Sequence, residues 1–233
     1  MTSTETALIV GAGSGLSASL ARLLAIEGAH VAVAARDTAK LAPLVKETGA
    51  LAIACDATDA AQIDAMFAGV EGKLGMPDLV IYNASYRTRG PFVTLDPKEV
   101  ERSIAVTAYA GFLVAQAAAK RMLRRGSGAI FFTGASASVK GYAESAPFAM
   151  GKFALRGLAQ SMARELAPRG IHVAHFVIDG GIRPSTSDPR AGQRGPDGML
   201  SPDEIAKTYL HIHRQHRSAW TWEVELRPWV ERF

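Results

Sequence analysis

Cysteine is almost absent from this chain of 233 residues, since Cys55 is the single one. One cysteine cannot form an internal disulfide, and disulfides are the usual stabilising links of small secreted domains. The N-terminus lacks the basic region and apolar run of a signal peptide, and no apolar stretch approaches the roughly 18 residues of a membrane span. We therefore expect a cytoplasmic protein with no membrane partner.

An excess of one charge is also missing. Lys and Arg number 26 against 22 Asp and Glu, so the net charge is +4. The tightest basic cluster lies at residues 120–125, just before Gly126, and is typical of the last turn of a helix. We therefore expect no nucleic-acid partner. Hydrophobic residues make up 48% of the chain, which favours one globular domain over residues 1–233.

Short apolar runs alternate with longer helical patterns. The runs are Ala7–Val10, Val31–Ala35, Leu51–Ala54, Leu79–Tyr82, Ile130–Thr133 and Val173–Ile178, with a last strand expected after Trp220. Strands separated by helices indicate right-handed crossovers and a parallel sheet. We therefore predict an α/β fold with a doubly wound parallel sheet of about seven strands. The irregular stretch at 183–200 is expected to be a flexible substrate loop.

Two helix starts can be read directly from the sequence. Asp96 and Ser201 are each followed by a proline and, three residues on, by a glutamate. The side chain of an aspartate or serine at this position caps the helix, and proline suits the first helical position. The glutamate is placed to reach back to the capping residue.

The first predicted strand runs into a glycine-rich turn. Gly11-Ala12-Gly13-Ser14-Gly15-Leu16 follows Val10 directly and precedes a helical pattern. Glycines let backbone N–H groups approach a pyrophosphate, and the N-terminus of the next helix adds partial positive charge. The turn therefore predicts a dinucleotide site that includes Gly11, Ser14, Gly15 and Leu16.

Arg36 follows the second predicted strand, where an acidic residue would select NAD. A carboxylate there accepts the ribose 2′-hydroxyl, whereas a guanidinium pairs with a 2′-phosphate. We therefore predict NADP as the cofactor in preference to NAD. The alternative is that Arg36 is a solvated loop charge.

With these features in place, nearly the whole chain resembles the short-chain dehydrogenase/reductase family. Four stretches follow the order of the family's motifs: residues 11–17, Cys55-Asp56-Ala57-Thr58-Asp59, Tyr82-Asn83-Ala84-Ser85 and Asp179-Gly180-Gly181-Ile182. The resemblance implies a Rossmann-type fold. It departs from the family at Ser17, which stands where the turn has its last glycine.

The same resemblance implies further cofactor contacts. Asp56 is expected to contact the adenine, with Ala57 beside it, and Ile182 to lie beside the nicotinamide carboxamide. Asn83 and Ala84 are expected to complete the cofactor site.

The family's catalytic positions are only partly kept. In the family a Tyr donates a proton, a Lys four residues later holds the nicotinamide ribose, a Ser polarises the carbonyl and an Asn orders a water relay. By this resemblance Lys152 and Ser136 are retained, with Ser138 as an alternative to Ser136. Phe148 stands in the place of the Tyr, and Thr107 in the place of the Asn.

Phenylalanine cannot supply a proton, so ordinary carbonyl reduction requires another donor. Tyr142 is our candidate replacement, and the alternative is that it is a packed loop aromatic. A substrate that needs no proton at that point is a second solution. We therefore predict an NADP-dependent oxidoreductase of a small molecule with an atypical proton path. The alternative is a catalytically inactive NADP-binding module.

Three further interpretations concern other classes of site. Gly134 to Ser138 half resembles a nucleophile turn, and Asp179 with His211 or His213 would supply the chain order of a serine hydrolase. We expect His211, His213 and His216 to form a solvated helix face, with no metal site. The resemblance also implies a homodimer or homotetramer, for which the stretch Ala115–Ala119 would allow close helix contact.

Overall fold

The computed structural model describes residues 4–183, 194, 195 and 197–231. Its strands are β1 (Thr6–Val10), β2 (His30–Ala35), β3 (Leu51–Ala54), β4 (Leu79–Tyr82), β5 (Gly128–Thr133), β6 (Ile171–Ile178), β7 (Gly181–Ile182), β8 (Met199–Leu200) and β9 (Glu223–Leu226). Seven of them form one parallel sheet in the order β3-β2-β1-β4-β5-β6-β9, and β7 pairs with β8. The predicted doubly wound sheet of about seven strands is confirmed.

Helices cover both faces of this sheet. They are α1 (Leu16–Ile26), α2 (Ala42–Thr48), α3 (Ala60–Leu74), α4 (Pro97–Ile104), α5 (Ala110–Arg125), α6 (Ala146–Leu166) and α7 (Pro202–His213), with a π-helical turn at Ala105–Tyr109. Side chains alternate along a strand, so Ile9 packs with α1, α2 and α7, and Leu8 packs with α3, α5 and α6. None of the described helices is long and apolar enough to cross a membrane.

The two predicted helix caps are confirmed, but their glutamates act differently. The Asp96 side chain accepts from the Lys98 N–H, and the Ser201 hydroxyl accepts from the Glu204 N–H. Glu99 accepts instead from the Tyr86 hydroxyl, and Glu204 pairs with Lys207. The prediction that these carboxylates reach back to the cap is therefore wrong, because each has a cationic or hydroxyl partner within reach.

The stretch Ala115–Ala119 was predicted to allow close helix contact between subunits, but it does not lie on an outer surface. Its four alanines are between 1% and 9% exposed and belong to the core that covers one face of the sheet. Their small size lets α5 approach the protomer's own strands. Most of the predicted substrate loop, residues 184–193 and 196, lies outside the described residues.

Candidate active site

A cleft of about 1010 Å³ opens at the carboxyl ends of the strands. It lies where the chain order reverses between β1 and β4, the place at which open α/β sheets bind ligands. Eight of the predicted site residues line it: Gly11, Gly15, Leu16, Asn83, Ser136, Tyr142, Lys152 and Ile182. The other five lie on segments that leave β1, β2, β3 and β4 at the same edge: Ser14, Arg36, Asp56, Ala57 and Ala84.

The glycine turn has one packed glycine and two open ones. Gly11 has φ +89°, and a Cβ there would overlap with the backbone and side chain of Ala84. A Cβ at Gly13 or Gly15 would meet no described atom within 4 Å. Gly11 is therefore needed for packing, whereas Gly13 and Gly15 leave room beside their backbone. This cradle fits a pyrophosphate.

Ser17 braces the turn against β4. Its hydroxyl donates to the Gly11 carbonyl at 3.2 Å and accepts from Asn83 Nδ2 at 2.6 Å. Ser17 is only 1% exposed, and the Asn83 N–H bonds to the Val10 carbonyl at 2.8 Å. Ser17 thus connects two of the predicted site segments, a contact that the sequence did not reveal.

Arg36 and Asp56 share the rim that follows β2 and β3. Asp56 Oδ1 accepts from the Thr58 N–H at 3.0 Å and from its hydroxyl at 2.7 Å. These two hydrogen bonds lower the pKa of Asp56, and the positive charge of Arg36 lowers it further. Arg36 is exposed, so its guanidinium is accessible to an anionic group at this rim.

Lys152 is held at the centre of the cleft by one backbone oxygen. Its Nζ donates to the Thr133 carbonyl at 2.7 Å, and the residue is only 3% exposed. Burial lowers the pKa of Lys152 to about 8. One turn later on α6, Arg156 donates to both oxygens of Glu223 on β9, at 2.6 and 2.8 Å. This bidentate pair fixes the helix that carries Lys152.

The two serines after β5 have different surroundings. Ser136 lines the cleft, whereas Ser138 is fully buried and its hydroxyl accepts from the Ala135 N–H at 3.1 Å. Of the two alternatives, Ser136 is therefore the one placed to meet a ligand.

Phe148 and Tyr142 both line the cleft. Lys152 Nζ lies 5.8 Å from the centroid of the Phe148 ring. Tyr142 is 46% exposed, and Lys140 Nζ lies 6.0 Å from its ring centroid. Lys140 Nζ also pairs with Asp179 Oδ2 at 3.2 Å. That hydrogen bond is the largest cause of the raised pKa of Lys140. The Tyr142 ring is therefore accessible from the cleft and lies beside a cation.

Thr107 hydrogen-bonds the backbone of the loop that follows β4. It is fully buried, and its Oγ1 accepts from the Tyr86 N–H at 3.2 Å. The π-helical turn around it is supported by Tyr82, whose hydroxyl donates to the Val106 carbonyl at 2.5 Å. A Cβ at Gly151 on α6 would overlap with Thr107. The position is thus enclosed between a loop and a helix.

Two cationic cleft residues did not stand out in the sequence. Arg87 and Arg89 line the cleft from the loop after β4, and Arg87 Cζ lies 4.7 Å from the Phe148 ring centroid. The signal for them was their position just after the carboxyl end of a strand. The proximity of Arg87 to Phe148, about 60 residues away in the chain, depends on the tertiary fold.

The structure contradicts the serine hydrolase interpretation. His213 bonds to Glu5, which precedes β1 and lies at the opposite edge of the sheet from Ser136. Asp179 pairs with Lys140, and His211 is exposed. The expectation of a solvated histidine face is also wrong for His213, whose side chain is 12% exposed. Within the described residues, no group of three or more His, Cys, Asp or Glu is arranged to hold a metal ion.

Comparisons with known proteins agree with this geometry. The family model for short-chain dehydrogenases matches residues 5–189. D-threitol dehydrogenase of Mycolicibacterium smegmatis is 30% identical over 221 residues, covering 89% of this chain and 85% of that protein.

Two solved structures extend the likeness to the whole fold. A short-chain dehydrogenase from Rhodopseudomonas palustris superposes with a TM-score of 0.83 at 33% identity, covering 97% of this chain and 99% of that one. A metagenomic short-chain oxidoreductase in complex with NADP gives a TM-score of 0.82 at 29% identity, covering 96% and 97% of the two chains. The chain belongs to the short-chain dehydrogenase/reductase family of oxidoreductases, whose members bind NAD(P).

The buried Lys152 makes stability depend on pH. Its pKa is about 8 in the folded chain against 10.5 when unperturbed, so between these pH values the unfolded chain holds a proton that the folded chain has lost. The free energy of unfolding therefore rises with pH across this window. From pH 8 to 10.5 the free energy of unfolding of the wild type should rise by about 3 kcal/mol more than that of Lys152→Met. Denaturant unfolding at several pH values measures this. Between pH 5 and 7 the difference in free energy of unfolding between the wild type and Lys152→Met should not change with pH. If that difference also stayed constant from pH 8 to 10.5, the prediction would be wrong.

Proposed function

We propose that this protein is an NADP-dependent oxidoreductase that acts on a small molecule through an atypical proton path. The observation that carries the cofactor assignment is the glycine turn, where Gly13 and Gly15 keep open space beside their backbone at the switch point of the sheet. Bound NADPH would supply a hydride to the substrate.

Each end of the cleft has residues suited to one part of that cofactor. The turn around Gly15 would bind the pyrophosphate, and Arg36 would pair with the 2′-phosphate. Lys152, fixed on Thr133, would hold the nicotinamide ribose, with Ile182 beside the carboxamide. Asp56 would contact the adenine from the rim that it shares with Arg36. The likeness to an NADP complex supports this assignment.

Replacing Arg36 tests the choice of cofactor. Arg36→Gln should weaken NADP⁺ binding about tenfold or more, because a charge-assisted hydrogen bond to the 2′-phosphate is lost. NAD⁺ binding should change little, and calorimetry measures both. The matched control is Arg124→Gln, which makes the same change on the exposed end of α5, at the opposite edge of the sheet. If the binding of NADP⁺ and of NAD⁺ weakened equally, Arg36 would not bind the 2′-phosphate.

The proton path is proposed to run through Tyr142. Phe148 carries no O–H, so it can neither donate a proton nor hydrogen-bond a substrate oxygen. Tyr142 lines the same cleft, and its ring lies beside the Lys140 ammonium. Ser136 would hydrogen-bond the reacting oxygen from the end of β5.

Turnover of NADPH with panels of ketones, imines and enones tests the proton path. Tyr142→Phe should lower kcat by about 100-fold or more on a ketone, the usual contribution of a positioned acid. NADPH affinity should stay the same, since the hydroxyl is not assigned to cofactor binding. An unchanged kcat would contradict the role of Tyr142.

The inactive alternative gives a different result in the same assay. A wild type that binds NADPH without any turnover, and a Phe148→Tyr variant that gains activity, would identify an inactive cofactor-binding module.

We also propose that two copies associate through the outer face of the π turn, α5 and α6. Four large side chains there are 39% to 54% exposed: Tyr109, Phe112, Met150 and Phe153. The Tyr109 and Phe112 rings stack at 6.2 Å. Exposed aromatic and methionine side chains on adjacent helices are typical of an interface between subunits.

Light scattering at micromolar concentration tests this association. The wild type should be a dimer or tetramer, and Phe112→Asp with Phe153→Asp should reduce the mass, because two charges would be buried in an apolar contact. The control is Ile26→Asp, which places a charge at an apolar residue that is 80% exposed on α1, across the sheet. A wild type that is monomeric would refute the proposal.

A further inference from the structure

The loop that follows β4 is pinned at Tyr86. The Thr107 hydroxyl accepts from the Tyr86 N–H at 3.2 Å, and the Ser103 hydroxyl donates to the Tyr86 carbonyl at 2.9 Å. Both hydroxyls belong to fully buried residues. The Tyr86 phenol donates to Glu99 at 2.5 Å, and Arg102 stacks on its ring at 4.4 Å. The backbone next to Arg87 is therefore fixed before any ligand arrives.

The other end of the same loop is tied to the segment that precedes α6. The Gly90 N–H donates to the Glu144 carbonyl at 3.1 Å. Glu144 itself adopts a left-handed φ of 57°, which is uncommon for a residue with a side chain. Arg87 and Arg89 lie between these two anchors and line the cleft. The loop thus places two guanidinium groups at the mouth of the site.

Arg87 lies against the ring of Phe148. The distance of 4.7 Å from its Cζ to the ring centroid is that of a cation–π contact. Lys152 Nζ lies 5.8 Å from the same centroid. Stacking of this kind positions a planar guanidinium by its face, while its N–H groups point outward in the plane and suit an oxyanion. Two cations thus border one ring at the centre of the cleft.

Cations outnumber acidic residues in the lining of the cleft. Among the residues that the structure describes, five Lys or Arg side chains line it against three Asp or Glu. Two of the three acids have cationic partners, since Asp179 pairs with Lys140 at 3.2 Å and Glu231 pairs with Arg194 at 3.3 Å. An excess of positive charge in a partly enclosed cleft attracts anions and raises their local concentration.

We propose that Arg87 is an anion-binding residue of the substrate pocket, and that the substrate carries an oxyanion, a carboxylate or a phosphate, beside its reacting carbon. This rests on the proposed function in one respect, that the Phe148 end of the cleft receives the substrate. Arg87 acts there as a specificity residue: it selects an anion and positions it beside the Phe148 ring, in the cleft that Ser136 and Tyr142 also line.

Equilibrium binding with three small probes tests the proposal. Benzoate and benzamide have the same shape and differ in charge, and phenyl phosphate supplies the other oxyanion. Calorimetry with the full chain is performed with and without saturating NADP⁺. Benzoate or phenyl phosphate should bind about tenfold or more tightly than benzamide. Arg87→Gln should remove that ratio, whereas Arg124→Gln should keep it.

The outcomes separate the substrate class from the cofactor assignment. Preference for benzoate assigns a carboxylate, and preference for phenyl phosphate assigns a phosphate, when either depends on Arg87. Equal binding of all three probes by the wild type, or a ratio that survives Arg87→Gln, overturns the proposal. Arg87→Gln should leave NADP⁺ affinity unchanged, because Arg87 is not assigned to cofactor binding. Absence of NADP⁺ binding would overturn the proposed function alone, since the probe ratio without NADP⁺ still reports on Arg87.

Discussion

At the switch point of the sheet, the backbone of Gly11 approaches Ala84 so closely that any Cβ at residue 11 would overlap with it. This contact closes the turn after β1 against the end of β4, and the Ser17 hydroxyl and the Asn83 amide hold the closure from inside. β2 and β4 lie on opposite sides of β1. The loops that follow β1 and β4 therefore diverge, and the space between them forms the cleft. The position of the cleft thus follows from sheet topology and one permitted close approach.

The other side of the cleft depends on Lys152, whose burial is unfavourable for a charged amine. The Thr133 carbonyl accepts one hydrogen bond from Lys152, which partly offsets this cost. The Arg156–Glu223 pair anchors α6 to β9 and so keeps Lys152 in its buried position. A structure that keeps a lysine under such conditions carries a cost in stability that is largest below pH 8 and disappears by about pH 10.5. Residues at functional sites commonly carry such costs, which is why we place the chemistry beside it.

Local patterns predicted the strands, the two helix caps and the glycine turn, because strand periodicity, capping and turn geometry depend on neighbours in the sequence. The roles of Ser17, Thr107 and Arg87 depend on partners from distant elements, so no local pattern reveals them. Ala115–Ala119 illustrates the same limit: small residues on a helix indicate close packing, but not whether the neighbour is a strand of the same chain or another subunit. The choice between Ser136 and Ser138 likewise required the burial of the hydroxyl, which follows from the tertiary structure.

Thr107 and Phe148 are connected through one loop, the loop that follows β4 and carries Arg87. Thr107 has a short hydroxyl that bonds the backbone of Tyr86, the residue next to Arg87. Phe148 has a bare aromatic face that Arg87 occupies, and a phenol there would add a polar group that competes for the guanidinium. Each residue therefore contributes to placing the same cation, one through the backbone and the other through the ring.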